Sequence, residues 1–203
     1  MTVVNSLTAT DVDALNGRDR ILRRAAELFL ENGYAETSLR TIADAVEMRP
    51  ASIYHHFDSK DALLSEILAI GMDAVTSAFE TVAAELPASA DGQARLTAHV
   101  AGHLEALFAH HAFTAAHVTV FPFVPSDVRD AAVDDRDRYE AKWSALLRDA
   151  LPRLDEDGLR LTRLALFGAM NSTVQWFDPA GGSLNDLADA LVATLWRGLK
   201  ESA

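Results

Sequence analysis

The run from Ile21 to Leu64, ILRRAAELFLENGYAETSLRTIADAVEMRPASIYHHFDSKDALL, constrains this chain more than any other feature, because four amphipathic helical patterns are packed into it with very short connections. Apolar residues fall at Ile21, Leu22, Ala25, Leu28 and Phe29, and again at Leu39, Ile42, Ala43 and Val46. Both series follow the i, i+3, i+4, i+7 rule of a helix with one buried face. A third pattern opens at Pro50, which suits a first helical position because its missing N–H has no intrahelical partner there, and it sets Ile53 and Phe57 one turn apart. A fourth starts at Ser59, a good N-cap, and continues through Leu63, Leu64, Ile67 and Leu68. Only Glu47, Met48 and Arg49 lie between Val46, which ends the second pattern, and Pro50, which opens the third. That is the tight turn a helix-turn-helix needs.

With Ile53 and Phe57 pointing inward, Ala51, Ser52, Tyr54 and His55 are left on the outward side of the third helix. They make a short, mostly small and polar surface of the kind that fits a major groove. Arg40 and Lys60 stand at the starts of the second and fourth helices, so two cations and two helix N-termini flank that face. Exposed N–H groups and the positive dipole end make such termini natural phosphate sites. The competing reading is a plain helical bundle whose solvated faces do nothing specific.

The elements Ala25-Ala26-Glu27-Leu28-Phe29, Asn32-Gly33-Tyr34, Thr37, Ile42-Ala43, Ser52-Ile53-Tyr54-His55-His56-Phe57 and Ser59-Lys60-Asp61-Ala62-Leu63-Leu64 occur here at ungapped spacing, and in this the N-terminal third resembles the tetracycline-repressor-like (TetR) transcriptional regulators. The resemblance implies that Thr37, Arg40, Arg49, Pro50, Ala51, Ser52, Tyr54, His55 and Lys60 sit where the family contacts DNA. By the same likeness Tyr54 and Lys60 touch phosphate, and Arg40, Arg49, Ala51, Ser52 and His55 read or approach bases. Two positions depart from the family. It usually has Gly where this chain has Glu47, and a non-glycine residue with positive φ in that turn is mildly strained. It usually has Ser or a similar cap where this chain has Arg49. A lost side-chain cap costs on the order of 1 kcal/mol, while an arginine adds a phosphate or guanine donor. The pair reads as an altered DNA sequence preference.

The chain carries 18 Lys and Arg against 30 Asp and Glu, which at first argues against a nucleic-acid partner. The distribution reverses that inference. Residues 18 to 60 hold seven cations and seven acids, so the whole deficit of twelve lies outside the head. An acidic body leaves the locally cationic face as the one surface that can approach a duplex, and it weakens non-specific affinity. There are no cysteines, hence no disulfide framework and no thiolate metal site. The N-terminal MTVVNSLTATDVDAL lacks the basic start of a signal peptide and the longest wholly apolar run is short, so the expected location is cytoplasmic.

Beyond the head, breaks at 86–92, 122–126, 152–158 and 178–183 separate further helices expected at about 60–85, 93–111, 113–121, 127–151, 159–177 and 184–200. No strand alternation of useful length occurs. The expected fold is all-α with about nine helices: a loose arm over residues 1–16, a three-helix helix-turn-helix head over 17–77, and a helical ligand-binding and dimerisation domain over 78–203. In the last two helices Leu184, Leu187, Ala188, Leu191, Val192, Leu195, Trp196 and Leu199 form a wide apolar stripe, and Ala165, Gly168, Ala169 and Ser172 line the preceding helix with small residues. Small residues let helices approach closely, which predicts a four-helix dimer interface built from Ala165, Gly168, Ala169, Ser172, Leu184, Leu187, Leu191 and Leu195.

An effector is expected in the middle of the body, where aromatic and polar residues concentrate: Phe108, Phe113, Phe121, Trp143 and Trp176, with Asn171 and Gln175 one turn apart on an otherwise apolar helix. Buried amides require partners, and a ligand can supply them. His99, His103, His110, His111 and His117 crowd into nineteen positions, and the first three fall within about 40° of one another on a helix. A pair four apart can ligate zinc, but no third ligand stands at a legible spacing, so His99, His103 and His117 are read as pocket wall, surface or core and neither metal nor cofactor is expected. Arg138-Tyr139-Glu140 with Trp143, and Trp176-Phe177-Asp178-Pro179-Ala180-Gly181-Gly182, resemble the subset of the family that controls lipid and steroid catabolism and answers to acyl-CoA thioesters. In that resemblance Arg138, with Arg136 and Lys142, meets phosphates and the aromatics take the acyl part. The implied function is a homodimeric repressor that binds a palindromic operator and is released by a small hydrophobic or acyl-CoA effector. The rivals are a dimeric ligand-binding module without DNA binding and a histidine-metal protein; an enzyme is disfavoured by the absence of Cys, of a G-x-S-x-G elbow and of H-E-x-x-H.

Overall fold

The computed structural model describes residues 16–201, so the expected arm lies outside the described residues except for Asn16. Asn16 caps the first helix, its side chain accepting from Asp19 N at 3.0 Å. Nine α-helices follow: α1 Gly17–Asn32, α2 Leu39–Ala45, α3 Pro50–Tyr54, α4 Lys60–Glu85, α5 Gly92–Ala109, α6 His111–Thr119, α7 Ser126–Ala150, α8 Glu156–Ser172 and α9 Leu184–Glu201. Short 3-10 turns occupy Phe121–Phe123 and Thr173–Gln175, and no strand occurs among the described residues. The helix starts follow from capping chemistry: Ser38, Ser59, Asp91, Asp155 and Ser183 each accept a bond from a backbone N–H of the first turn that would otherwise be unpaired.

Packing divides the chain into two compact units. The first holds the described residues up to Asp73 together with Ala109–Asp135. Its core joins Ile21, Leu22, Ala25 and Phe29 of α1 to Ile42, Ile53, Phe57, Leu63, Leu64, Ile67 and Leu68, and is closed by Ala116, Val120, Phe121, Val124 and Val128 from α6, the 3-10 turn and the start of α7. The segment after residue 108 therefore returns to the head. Gly71 makes this possible, since a Cβ there would stand 2.6 Å from the backbone oxygen of Phe113. By length and composition α4 is apolar enough to cross a bilayer, yet its Leu63, Leu64, Ile67 and Leu68 are fully buried in protein.

The second unit holds Ala74–Phe108 and the residues from Arg136 onward. Leu96, Val100 and Leu104 of α5, Trp143 and Leu147 of α7, Leu166 and Met170 of α8, and Ala188 and Val192 of α9 form its buried interior. Several boundaries differ from the sequence expectation, among them the start of α8 at Glu156 and not near 159. The helix expected to run to 111 breaks at His110, whose φ of −113° and ψ of 31° redirect the chain into α6. The helix expected to run to 177 tightens into the 3-10 turn after Ser172, where the Thr173 hydroxyl bonds back to Met170 O at 2.6 Å.

Candidate nucleic-acid interface and effector region

Helices α2 and α3 are joined by Val46 to Arg49, and the turn has the geometry that a glycine usually supplies. Glu47 takes φ +57°, the one positive φ at a non-glycine position among the described residues. The reason lies in the end of α2: Met48 N donates to Ala43 O at 2.9 Å, a Schellman-type closure that needs a left-handed residue before it. Arg20 of α1 braces the same turn by donating to Val46 O at 3.2 Å. Arg49 opens α3 with extended backbone and no side-chain cap, followed by Pro50 in the first turn. Its guanidinium is left for other use.

On α3, Pro50, Ala51, Tyr54 and His55 are exposed and Ser52 is half-buried, while Ile53 is completely buried beneath them. Arg40 and Arg49 are exposed and have no carboxylate partner among the described residues. Two other head cations are paired with carboxylates. Arg18 forms an ion pair with Glu66 and lies 4.9 Å from the Phe57 ring centre, and its pKa is raised mainly by the Glu66 bond. Arg24 pairs with Glu27 at 3.0 Å and Glu31 at 3.3 Å. The net cationic character of the face thus resides in Arg40 and Arg49.

Two residues of the expected DNA set sit differently. Thr37 is buried, and its hydroxyl donates to Leu28 O and Gly33 O, fastening the α1–α2 connection. Its side chain is not on the exposed face. Lys60 is half-buried, its ammonium donating to Tyr34 O at 2.8 Å and standing 4.1 Å from the Tyr34 ring centre, and burial lowers its pKa. The Tyr34 hydroxyl in turn bonds Asp61. The sequence alone assigns no role to Arg20, Tyr34 and Asp61, although Tyr34 and Asp61 stand in the family elements, because each acts through a contact 26 or 27 residues away.

The residues expected to meet an effector fall into separate groups. Within the second unit the buried His99, His103, Trp143 and Tyr139 cluster with the half-buried Phe79 and Phe167, the ring centres lying 4.3 to 6.3 Å apart. His103 Nδ1 shares a 2.8 Å hydrogen bond with the Tyr139 hydroxyl. Burial holds the His103 pKa down to about 4, with the Asn171 side chain acting in the opposite direction, and burial raises that of Tyr139. His103 Nε2 and Trp143 Nε1 nevertheless lack a hydrogen bond of normal geometry among the described residues. Beside them Arg163 pairs with Glu140 at 3.0 Å, both mostly buried. Arg163 was missed by sequence, because a lone arginine on a helix reads as solvated.

Phe108 packs on Phe177 with ring centres 5.8 Å apart. Arg138, Gln175 and Trp176 are exposed, and the Trp176 indole donates to Ser172 Oγ at 3.3 Å. Phe113, His117 and Phe121 belong to the first unit, where His117 Nε2 donates to Leu68 O at 2.6 Å and its ring stacks on Phe121. Those three pack as part of the head. Among the described residues no group of three or more His, Asp or Glu side chains is arranged to hold a metal ion.

The expected interface residues Ala165 and Gly168 are exposed on α8, and Ala169 and Ser172 half-buried. Leu161 and Leu164, 59% and 49% exposed, extend the same face at helical spacing and turn a small-residue stripe into an apolar one. On α9, Leu184, Leu187, Leu191 and Leu195 are half-buried, while Ala188 and Val192 face fully inward.

Residues 21–67 match the family model described as "Bacterial regulatory proteins, tetR family", and residues 89–199 match "Tetracyclin repressor-like, C-terminal domain". The HTH-type transcriptional repressor KstR2 of Rhodococcus jostii is 30% identical over 179 residues, or 85% of this chain and 86% of that protein. Among solved structures, the TetR family regulator PfmR from Thermus thermophilus is similar with a TM-score of 0.75 at 28% identity, covering 89% of this chain and 96% of that one. AibR, solved in complex with isovaleryl coenzyme A and operator DNA, shares the fold with a TM-score of 0.71 at 21% identity, covering 87% and 96%. The chain belongs to the tetR family of bacterial regulatory proteins: it is a helix-turn-helix transcriptional regulator and not an enzyme.

Proposed function

We propose that the protein is a homodimeric, cytoplasmic repressor that binds a palindromic operator through α3 and is released by a small hydrophobic or acyl-CoA effector. Residues 17–77 would serve as the DNA-binding domain and 78–203 as the effector and dimerisation domain. The observation that carries the reading is the exposed face of α3, with Arg49, Pro50, Ala51, Tyr54 and His55 standing free over a buried Ile53 and the uncompensated Arg40 beside it. A two-fold dimer would bring two such helices to successive major grooves, which is why a palindrome is expected. The effector half rests on the aromatic cluster around His103 and Trp143, whose unmet polar atoms suit a ligand with both apolar and polar parts, and on the bound isovaleryl coenzyme A of AibR. Release follows linkage: a ligand that binds a body conformation with wrongly spaced heads weakens DNA binding by its differential affinity, typically about 1 to 3 kcal/mol.

Mobility shift on the upstream region of the chain's own gene, at near-physiological salt, tests the first half. Binding that a random duplex competes equally well would defeat it and favour a dimeric ligand-binding module, a reading to which the strained Glu47 lends some support. Adding acyl-CoA thioesters to the operator complex tests the second half, which fails when none of them releases the DNA.

A further inference from the structure

Within the second unit, the end of α4, the first turns of α5 and the last turns of α7 enclose a cleft of about 480 Å³ lined by Phe79, Leu86, Arg95, His99, Lys142 and Asp149 among others. That volume is in the range of small-molecule sites. Its most specific feature is His99, which is only 3% exposed. His99 Nδ1 lies 2.8 Å from the backbone oxygen of Arg95. A carbonyl oxygen can only accept, so Nδ1 carries the proton and Nε2 is a bare acceptor, with no partner among the described residues. Burial lowers the pKa of His99, which keeps the ring neutral and this tautomer in place. The Phe79 ring packs against the imidazole at 4.3 Å and gives the cleft an aromatic wall.

The charges at the rim are unequally committed. Lys142 is held by Glu80 at 2.9 Å, whereas Arg95 meets Asp149 at only 3.9 Å, with both side chains substantially exposed. With Glu80 counted the charges at the cleft balance, two cations against two acids, so Arg95 is the cation that an anionic group can engage, by taking the place of Asp149. Arg95 and His99 stand four residues apart on α5, about 6 Å along the axis, so both face the same side of the helix and can meet opposite ends of one small ligand.

We propose that this cleft binds a small hydroxylated aromatic carboxylate: the hydroxyl donates to His99 Nε2, the ring lies against Phe79 and Leu86, and the carboxylate is held by Arg95 in place of Asp149. The site shares Phe79 and His99 with the aromatic cluster around His103 and Trp143, so it rests on the effector reading and names a ligand class for it; because binding is measured on the full chain without DNA, its failure is separable from failure of the repressor reading. The test is calorimetric titration with 3-(4-hydroxyphenyl)propanoate and with 3-phenylpropanoate, which differ only in the hydroxyl. The hydroxylated acid should bind saturably and about threefold to tenfold more tightly, the worth of one neutral hydrogen bond. Arg95→Gln, at a half-buried position, should weaken both acids about tenfold, and His99→Phe should make their affinities equal. Should His99→Phe fail to fold, the ¹⁵N resonance of His99 Nε2 in the unsubstituted protein gives the same answer by shifting with the phenol and not with its analogue. Equal affinities for the two acids, no saturable binding of the phenol, or an Arg95→Gln variant that binds both unchanged would each overturn the site.

Discussion

Glu47 occupies a conformation that costs a non-glycine residue roughly 1 to 2 kcal/mol, while glycine would give back roughly 0.5 to 1 kcal/mol in unfolded-chain entropy. Glu47→Gly should therefore raise stability by about 0.5 to 1 kcal/mol in chemical denaturation, and Glu47→Ala should leave it nearly unchanged; a glycine variant no more stable than the alanine one would mean the turn relaxes by another route. This strain was legible in the sequence, because a tight turn after a helix has few ways to close. The burial of Thr37 was not, since a threonine that fastens a loop and one that touches a phosphate have the same sequence surroundings. His103 supplies a pH prediction. Its folded pKa near 4 lies below the ordinary value of 6.5, so between those values the unfolded chain binds the proton and the folded one does not. Its contribution is complete above pH 6.5 and is lost as pH falls toward 4, a loss on the order of 3 kcal/mol. Denaturant midpoints of the wild type and of His103→Leu, taken at pH 7 and at pH 4.5, should show the wild type falling relative to the variant on acidification; a difference that does not change with pH would place His103 in contact with water.

At the level of elements, side-chain caps mark most helix starts, yet a cap is not always read: Asp155 caps α8 at Glu156, while the sequence expectation began that helix near 159. Asn16, Ser38, Ser59, Asp91, Asp155 and Ser183 announce α1, α2, α4, α5, α8 and α9. The break between α5 and α6 has no such herald: Ala109, His110 and His111 are all tolerated in a helix, and the chain turns there because α6 packs onto α1 and α4 of the head. The return of α6 is also why Phe113, His117 and Phe121 left the expected effector group. Gly71 is the residue this packing depends on. Alanine would normally gain up to about 1 kcal/mol over glycine inside a helix. Here its Cβ would meet the Phe113 carbonyl at 2.6 Å, backbone that cannot rotate away, so Gly71→Ala should instead destabilise by about 1 to 3 kcal/mol and lower the thermal midpoint. A stabilised variant would show that α4 and α6 do not approach this closely.

For the whole molecule, charge and exposed apolar surface point to assembly. The chain carries a formal charge of −12 while residues 18–60 are neutral, so a monomeric head offers little more than Arg40 and Arg49 to a duplex. In the proposed dimer, affinity comes from using two heads at once, which would make the second copy part of the DNA-binding device. The face that fits that role is Leu161, Leu164, Ala165 and Gly168 on α8, with two large leucines left about half exposed. A two-fold contact presents each residue twice, so Leu164→Asp would place two carboxylates against apolar surface without partners. Because Leu164 is exposed in the single chain, the substitution should leave its folding free energy within about 0.5 kcal/mol. Light scattering at micromolar concentration should then report a folded monomer where the unsubstituted protein is a dimer. Affinity for a palindromic operator should fall at least about tenfold, while binding to a single half-site stays the same. A Leu164→Asp protein that remains dimeric would move the interface off α8, and one that turns monomeric yet keeps full operator affinity would mean that a single head suffices.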